Sequence, residues 1–242
     1  MALASPRPLL DDLRYAARSL AHSRGYALAT VLLLALGVGA NTAMFSLVDA
    51  VLFRRLAVER SEELLRVYAS GAGSERGALS EISYPAYADF RDQATAFAGL
   101  AGYRDNVPLH LAAAGAAPER VEGAVVTGNY FGVLGVRPRV GRLLAPDDDR
   151  APGAHPVAVL SERLWRARFA ARPNVAGTVV RLNAVPFTVV GVAPAGFRGV
   201  SVEQAPDVWV STAMVDDALP DLRELKPLER RGFRWLHVVG RL

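Results

Sequence analysis

The feature that most restricts this chain lies near its start. From Gly25 to Val48 no residue is charged, and the centre reads Ala27-Leu28-Ala29-Thr30-Val31-Leu32-Leu33-Leu34-Ala35-Leu36. A hydrocarbon core of about 30 Å takes roughly 20 apolar residues as a helix, and this run is long enough. Continued to Phe53, at about 1.5 Å per residue, the helix reaches about 43 Å; it overshoots the bilayer and emerges as a stalk. Asp49 then falls near the outer interface. Arg7, Arg14, Arg18 and Arg24 precede the run, whereas Arg54 and Arg55 follow it. This excess predicts a cytoplasmic N-terminus and a main domain outside. The competing reading is a cleavable signal peptide, against which stand the long basic approach and the length of the apolar run.

Two smaller features accompany the span. Leu9, Leu13, Ala16 and Leu20 recur at helical spacing, with Asp11, Asp12, Arg14 and Arg18 off the stripe. That pattern predicts an amphipathic helix on the inner membrane face, or a cap packed on a partner. Within the span, Gly37, Gly39, Ala40 and Ala43 place small residues four apart at Gly39 and Ala43, a spacing that lets another helix approach closely.

The charge balance sharpens the picture. The whole chain carries net +4, but residues 1–60 hold seven Arg against four acids, leaving 21 basic and 20 acidic residues in 61–242. The large domain is nearly neutral, so nucleic acid is not an expected partner. There is no cysteine, which excludes thiolate catalysis, cysteine-ligated zinc and iron–sulfur clusters.

Chemistry-bearing motifs are wanting throughout. The sole lysine, Lys226, lies between Leu225 and Pro227, so no phosphate-binding loop ending in Gly-Lys-Ser/Thr exists. His22, His110, His155 and His237 are scattered, without ligand spacing. Asp147-Asp148-Asp149 lacks the glycine and terminal glutamate of a calcium loop and reads as a solvated acidic turn. Ser161 follows an apolar stretch, outside any Gly-x-Ser-x-Gly elbow, and reads as a helix cap. Trp165, Trp209 and Trp235 read as core anchors. The expectation is no catalytic, cofactor-binding or metal-binding residue and no enzyme; an anchored hydrolase is the weakest alternative.

Beyond Leu64 the pattern alternates between strand and helix. Strands are predicted at Leu64–Ser70, Leu109–Ala113, Val121–Val126, Val157–Leu160, Val179–Leu182, Phe187–Val192, Val208–Ser211 and Trp235–Val239. Helices are predicted from Ser83 through about Phe97, at Asn129–Leu134 and at Ser161–Ala171. Asn183-Ala184 marks a hairpin, although alanine suits positive φ poorly and argues for a longer loop. Pro186 argues for an edge strand. Gly71–Gly77, Ala112–Pro118 and Pro146–Gly153 read as linkers. The fold class is α+β.

Ordered strings across the chain resemble the MacB/FtsX-type ABC transporter permeases, in particular their orphan permease branch. These are Asp12-Leu13-Arg14-Tyr15-Ala16 through Leu36-Gly37-Val38-Gly39-Ala40-Asn41-Thr42-Ala43; Ile82-Ser83-Tyr84-Pro85; Gly128-Asn129-Tyr130-Phe131; Gly141-Arg142; Val159-Leu160-Ser161; Val189-Val190-Gly191-Val192; and Asp207-Val208-Trp209-Val210. The resemblance implies a first transmembrane helix followed by a two-lobed, mixed α/β periplasmic core domain, in a chain truncated before further spans. It further implies three segments: 1–24 cytoplasmic, 25–54 transmembrane and 55–242 extracytoplasmic, with an inserted lobe at roughly 121–211. It places the chain in a bacterial inner membrane, as an exporter subunit whose outer domain transmits ATP-driven motion and contacts substrate or partners. ATP is expected only on a separate ABC ATPase subunit. The other implied partners are the lipid bilayer and a second copy or second permease half. A membrane-tethered scaffold without transport is the alternative function.

Overall fold

The computed structural model describes residues 24–52, 58–69, 80–113, 117–200 and 205–242, with backbone alone for 47–52. The amphipathic stretch ahead of Arg24 and the Gly71–Gly77 linker lie outside the described residues. The fold divides between Arg54 and Arg55 into two units, each described by itself.

The first unit contains helix α1, Arg24–Leu52, of 29 residues. It is the one described helix long and apolar enough to cross a membrane, and its apolar window is wholly unburied. Leu28, Leu32, Leu33, Leu34, Leu36 and Phe45 are all exposed. In water such a surface costs about 25 cal/mol per Å² of apolar area, so the helix calls for lipid or protein around it. Thr42 satisfies its hydroxyl by donating to the Val38 carbonyl at 2.8 Å, which hides the polar group within the helix.

The second unit is a mixed sheet of nine strands with short helices: β1 (Leu64–Val67), α2 (Tyr84–Gln93), β2 (Gly99–Ala112), β3 (Glu119–Val126), α3 (Tyr130–Val133), β4 (Val140–Gly141), β5 (Val157–Leu160), α4 (Glu162–Phe169), β6 (Val179–Leu182), β7 (Val185–Val192), β8 (Val208–Ser211), α5 (Val215–Ala218) and β9 (His237–Arg241). The strands run in the order β1-β9-β2-β3-β8-β5-β7-β4, and β6 pairs with both β7 and β2. Six strands therefore close a ring, β2-β3-β8-β5-β7-β6 and back to β2. Its seam is short: Leu111 pairs with Leu182 and Ala112 with Arg181.

Side-chain alternation gives each face of this sheet its own core. Leu109, Leu111, Val125, Leu160, Leu182, Phe187, Val189 and Val210 belong to one buried cluster, and Ala101, Tyr103, Ala124, Val126, Tyr130, Phe131, Val159 and Trp209 to the other. Strand β2 serves both through a bulge between Arg104 and Val107, where Asn106 takes φ of 56°. The extra residue flips the parity, so odd positions face one cluster before the bulge and the other after it.

Several boundaries differ from the sequence reading. Helix α2 ends at Gln93, since Ala94 is already extended with ψ of 108°. Strand β2 begins ten residues before Leu109, through Gly99-Leu100-Ala101-Gly102, a run whose glycines conceal strand character. The Asn183-Ala184 loop is a true two-residue turn: both residues take positive φ, 48° and 68°, and Leu182 pairs directly with Val185. Asn183 fixes this turn by donating its amide to the Asp217 and Ala218 carbonyls, each at 3.2 Å. Strand β7 is interior rather than an edge, paired with β4, β5 and β6. Pro186 is tolerated because pairing with β5 begins only at Thr188.

Candidate coupling site

The first and last described strands of the second unit lie side by side. β1 pairs antiparallel with β9, Leu64 opposite Arg241 and Val67 opposite Val238. On its other edge β9 pairs with β2. β1 and β9 thus form one ribbon at the end of the sheet.

Arg241 ties this ribbon together. Its side chain is only 14% exposed. Nη1 donates to Glu63 Oε2 at 2.9 Å and to the Arg60 carbonyl at 3.3 Å, Nη2 to the Glu59 carbonyl at 2.9 Å, and Nε to the Val133 carbonyl at 2.6 Å. The planar guanidinium suits this role because its donors diverge at fixed angles. The Arg241 hydrogen bond holds the Glu63 carboxyl below the usual carboxylate range. A second tie runs from β1: Arg66 Nε donates to the Tyr103 hydroxyl at 2.9 Å. Burial pushes that hydroxyl up to about 12, so it stays protonated and neutral.

At the start of β9, His237 lies 3.7 Å from Glu81 and its ring is 5.3 Å from that of Tyr103. Burial lowers its pKa, against the attraction of Glu81, and Arg66 and Arg104 lower it further.

The family-like strings turn out to be built into packing. Ser83 caps α2 by accepting from Ala86 N, and Ser161 caps α4 by accepting from Leu164 N at 3.0 Å. Asn129 donates to the Leu100 carbonyl at 2.7 Å and accepts from Thr127 at 2.7 Å. Gly141 and Gly191 face each other where β4 crosses β7. A Cβ on Gly191 would lie 2.1 Å from the Arg142 carbonyl oxygen, so only glycine permits that approach.

The three consecutive acids are not the solvated turn expected from the sequence: Asp147 alone is exposed, Asp148 is buried and Asp149 is partly buried. Asp147 pairs with Arg150 on the surface. Asp148 is buried; Arg142, at 2.6 and 2.9 Å, and the Ala145 N–H hold it ionised. Asp149 accepts from the Thr212 hydroxyl, the Ala213 N–H at 2.7 Å and the Gly128 N–H at 3.2 Å; burial pushes its carboxyl up against those bonds. Among the described residues no group of acids and histidines is placed to hold a metal. His110, His155 and His237 stay apart, and His22 lies outside the described residues. Trp165, Trp209 and Trp235 are all buried, and the Lys226 ammonium pairs with Glu229 at 3.5 Å on the surface.

A cleft of about 610 Å³ opens where β5 feeds α4, lined by Ser161, Arg163, Pro194, Phe197, Arg198 and Pro206 among others. Beneath it the buried Asp207 accepts from Arg163 Nη2 at 2.6 Å and from the Glu122 N–H at 3.4 Å. Sequence reasoning found neither this cleft nor the Arg241 tie, since each joins positions far apart in the chain; Ser161 was visible as a helix cap, and Asp207 only as a member of a family-like string.

An apolar helix long enough to cross a membrane, followed by an α+β domain, is the arrangement of one class, the membrane-anchored domain. A sequence model of the MacB-like periplasmic core domain matches residues 27–234. The chain belongs to that family, a component of ABC-type transporter permeases. The fold resembles the periplasmic region of MacB from Actinobacillus actinomycetemcomitans, with a TM-score of 0.52 at 20% identity over 74% of this chain and 73% of that one. It also resembles the extracellular domain of the noncanonic ABC-type transporter YknZ from Gram-positive bacteria, with a TM-score of 0.52 at 11% identity over 74% and 82% of the two chains. A comparison with curated proteins finds no match.

Proposed function

We infer that this chain acts as a permease subunit, or part of one, in an ABC-type exporter of the bacterial inner membrane. In this reading α1 spans the bilayer from a cytoplasmic N-terminus, and residues 55–242, including the lobe at roughly 121–211, lie outside. The chain itself is not catalytic; a separate ABC ATPase hydrolyses ATP, and a second copy or a second permease half completes the complex. The observation that carries this reading is the pairing of β1 with β9 behind an apolar helix. A pull arriving through residues ahead of β1 acts on β1 and β9 together, and Arg241 shares it with α3.

The test begins with the tagged full-length chain, purified from membranes of its own cells, and an assay of ATP hydrolysis in the eluate. The expected result is a co-purifying ATPase whose turnover falls severalfold when the chain carries Arg241→Gln. An eluate without nucleotide dependence in any complex overturns the transport reading and favours a tethered scaffold.

A further inference from the structure

We propose that Arg241, Tyr130 and Phe131 form an internal strut that couples the incoming segment 58–66 to the loop 194–200 bordering the cleft beside α4. The two ends share no strand pairing, so the connection runs through side chains. From the incoming segment, Arg241 gathers the Glu59 and Arg60 carbonyls and the Glu63 carboxylate and fastens them to the Val133 carbonyl, the last residue of α3. Arg66 adds a parallel tie to the Tyr103 hydroxyl, and the Tyr103 ring lies 6.0 Å from that of Tyr130. Both ties therefore end on α3, a single turn bearing Tyr130 and Phe131.

The far side of α3 is an aromatic cluster. Phe131 meets Phe197 with centroids 5.7 Å apart and Trp209 edge-on at 5.9 Å, and Phe197 meets Trp209 at 5.4 Å. The Tyr130 hydroxyl accepts from the Val200 N–H at 3.3 Å. Tyr130, Phe131 and Trp209 are essentially inaccessible, and Phe197 is 5% exposed. Close-packed rings transmit displacement rather than absorb it. Phe197 and Arg198 also line the cleft, so a shift of α3 reaches the cleft wall. The strut thus gives the domain a route by which the state of the incoming segment sets the shape of the cleft, and occupancy of the cleft acts back on that segment.

This connection rests on the coupling reading only for its use in a working complex; the strut itself is measured without an ATPase. The experiment is amide hydrogen exchange on the full-length chain in detergent micelles. For Arg241→Gln the expected result is at least fivefold faster exchange at Phe197 and Val200, besides the local change at Glu63 and Leu242, while the amides of β5 and β8 keep their protection. Acceleration confined to 58–66 and 238–242 overturns the strut and leaves the exporter reading intact. Should Arg241→Gln fail to fold, Phe131→Leu decides: lying between the ends, it must quicken both Val200 and Glu63, and acceleration at Val200 alone overturns the proposal. Glu62→Gln, exposed and outside the strut, serves as the control in which both sites stay unchanged.

Discussion

Asp149 is a half-buried carboxylate whose partners are two backbone N–H groups and one hydroxyl. Removing it strands those donors, and a buried unsatisfied donor costs about 1–3 kcal/mol. Asp149→Ala is therefore expected to lower unfolding free energy by about 3 kcal/mol, read from the shift of the urea midpoint at unchanged slope. Ala184 offers the opposite case. It holds φ of 68° in a two-residue turn, a region that costs a residue with a Cβ about 1–2 kcal/mol. Ala184→Gly is expected to stabilise by about 1 kcal/mol after the extra chain entropy of glycine is deducted. His237 supplies the pH dependence. Burial lowers its folded pKa below the ordinary 6.5, so just below pH 6.5 the unfolded chain binds more protons than the native one. The His237 contribution is present above pH 6.5 and lost as pH falls through the folded value. Comparing urea midpoints at pH 7.5 and 5.5, His237→Gln should show a smaller acid loss than the parent chain.

At the scale of elements, the crossing of β4 and β7 depends on two glycines. Gly191→Ala forces a Cβ into the Arg142 and Val140 carbonyls, and because the atoms it meets are backbone there is no side chain to swing aside; a loss of about 3 kcal/mol or more is expected. Gly132→Ala, in α3 with open space around it, serves as the neutral comparison in the same thermal melt. These elements also show what a sequence can and cannot display. Strands β5 and β8 were readable to the residue because each is a short apolar run, opened after Pro156 or Asp207 and closed at a serine, and Ser161 announced α4 as a helix cap. The start of β2 was hidden because Gly99 and Gly102 break its pattern, and the bulge at Asn106 reverses its parity, which periodicity alone misreads. The true turn at Asn183 was hidden for another reason. Tertiary bonds from its side chain to the Asp217 and Ala218 carbonyls stabilise a conformation that Ala184 would not choose locally. The Arg241 tie was beyond reach altogether, since an arginine at a strand end has no local signature of the carbonyls it will meet.

For the molecule as a whole, the two core clusters share strands. β2, β3, β5 and β8 each send side chains to both, and Trp165 and Trp235 report on one cluster while Trp209 reports on the other. The second unit is accordingly expected to unfold in one step, with tryptophan fluorescence and far-ultraviolet circular dichroism giving the same midpoint after the signal of α1 is subtracted; midpoints that separate would show clusters that melt independently. One further consequence follows from the ring of six strands. A row of strands with free ends can fan open by small slips at each neighbour, but a hoop cannot: a slip at one joint must be repaid around the circumference, unless the hoop parts. The narrowest joint is the seam of two residue pairs between β2 and β6, reinforced by the Asn183 side chain where it accepts from the His110 N–H at 3.0 Å. The ring itself is therefore expected to stay stiff under load and, if it opens, to part first at that seam, the joint with the fewest residue pairs.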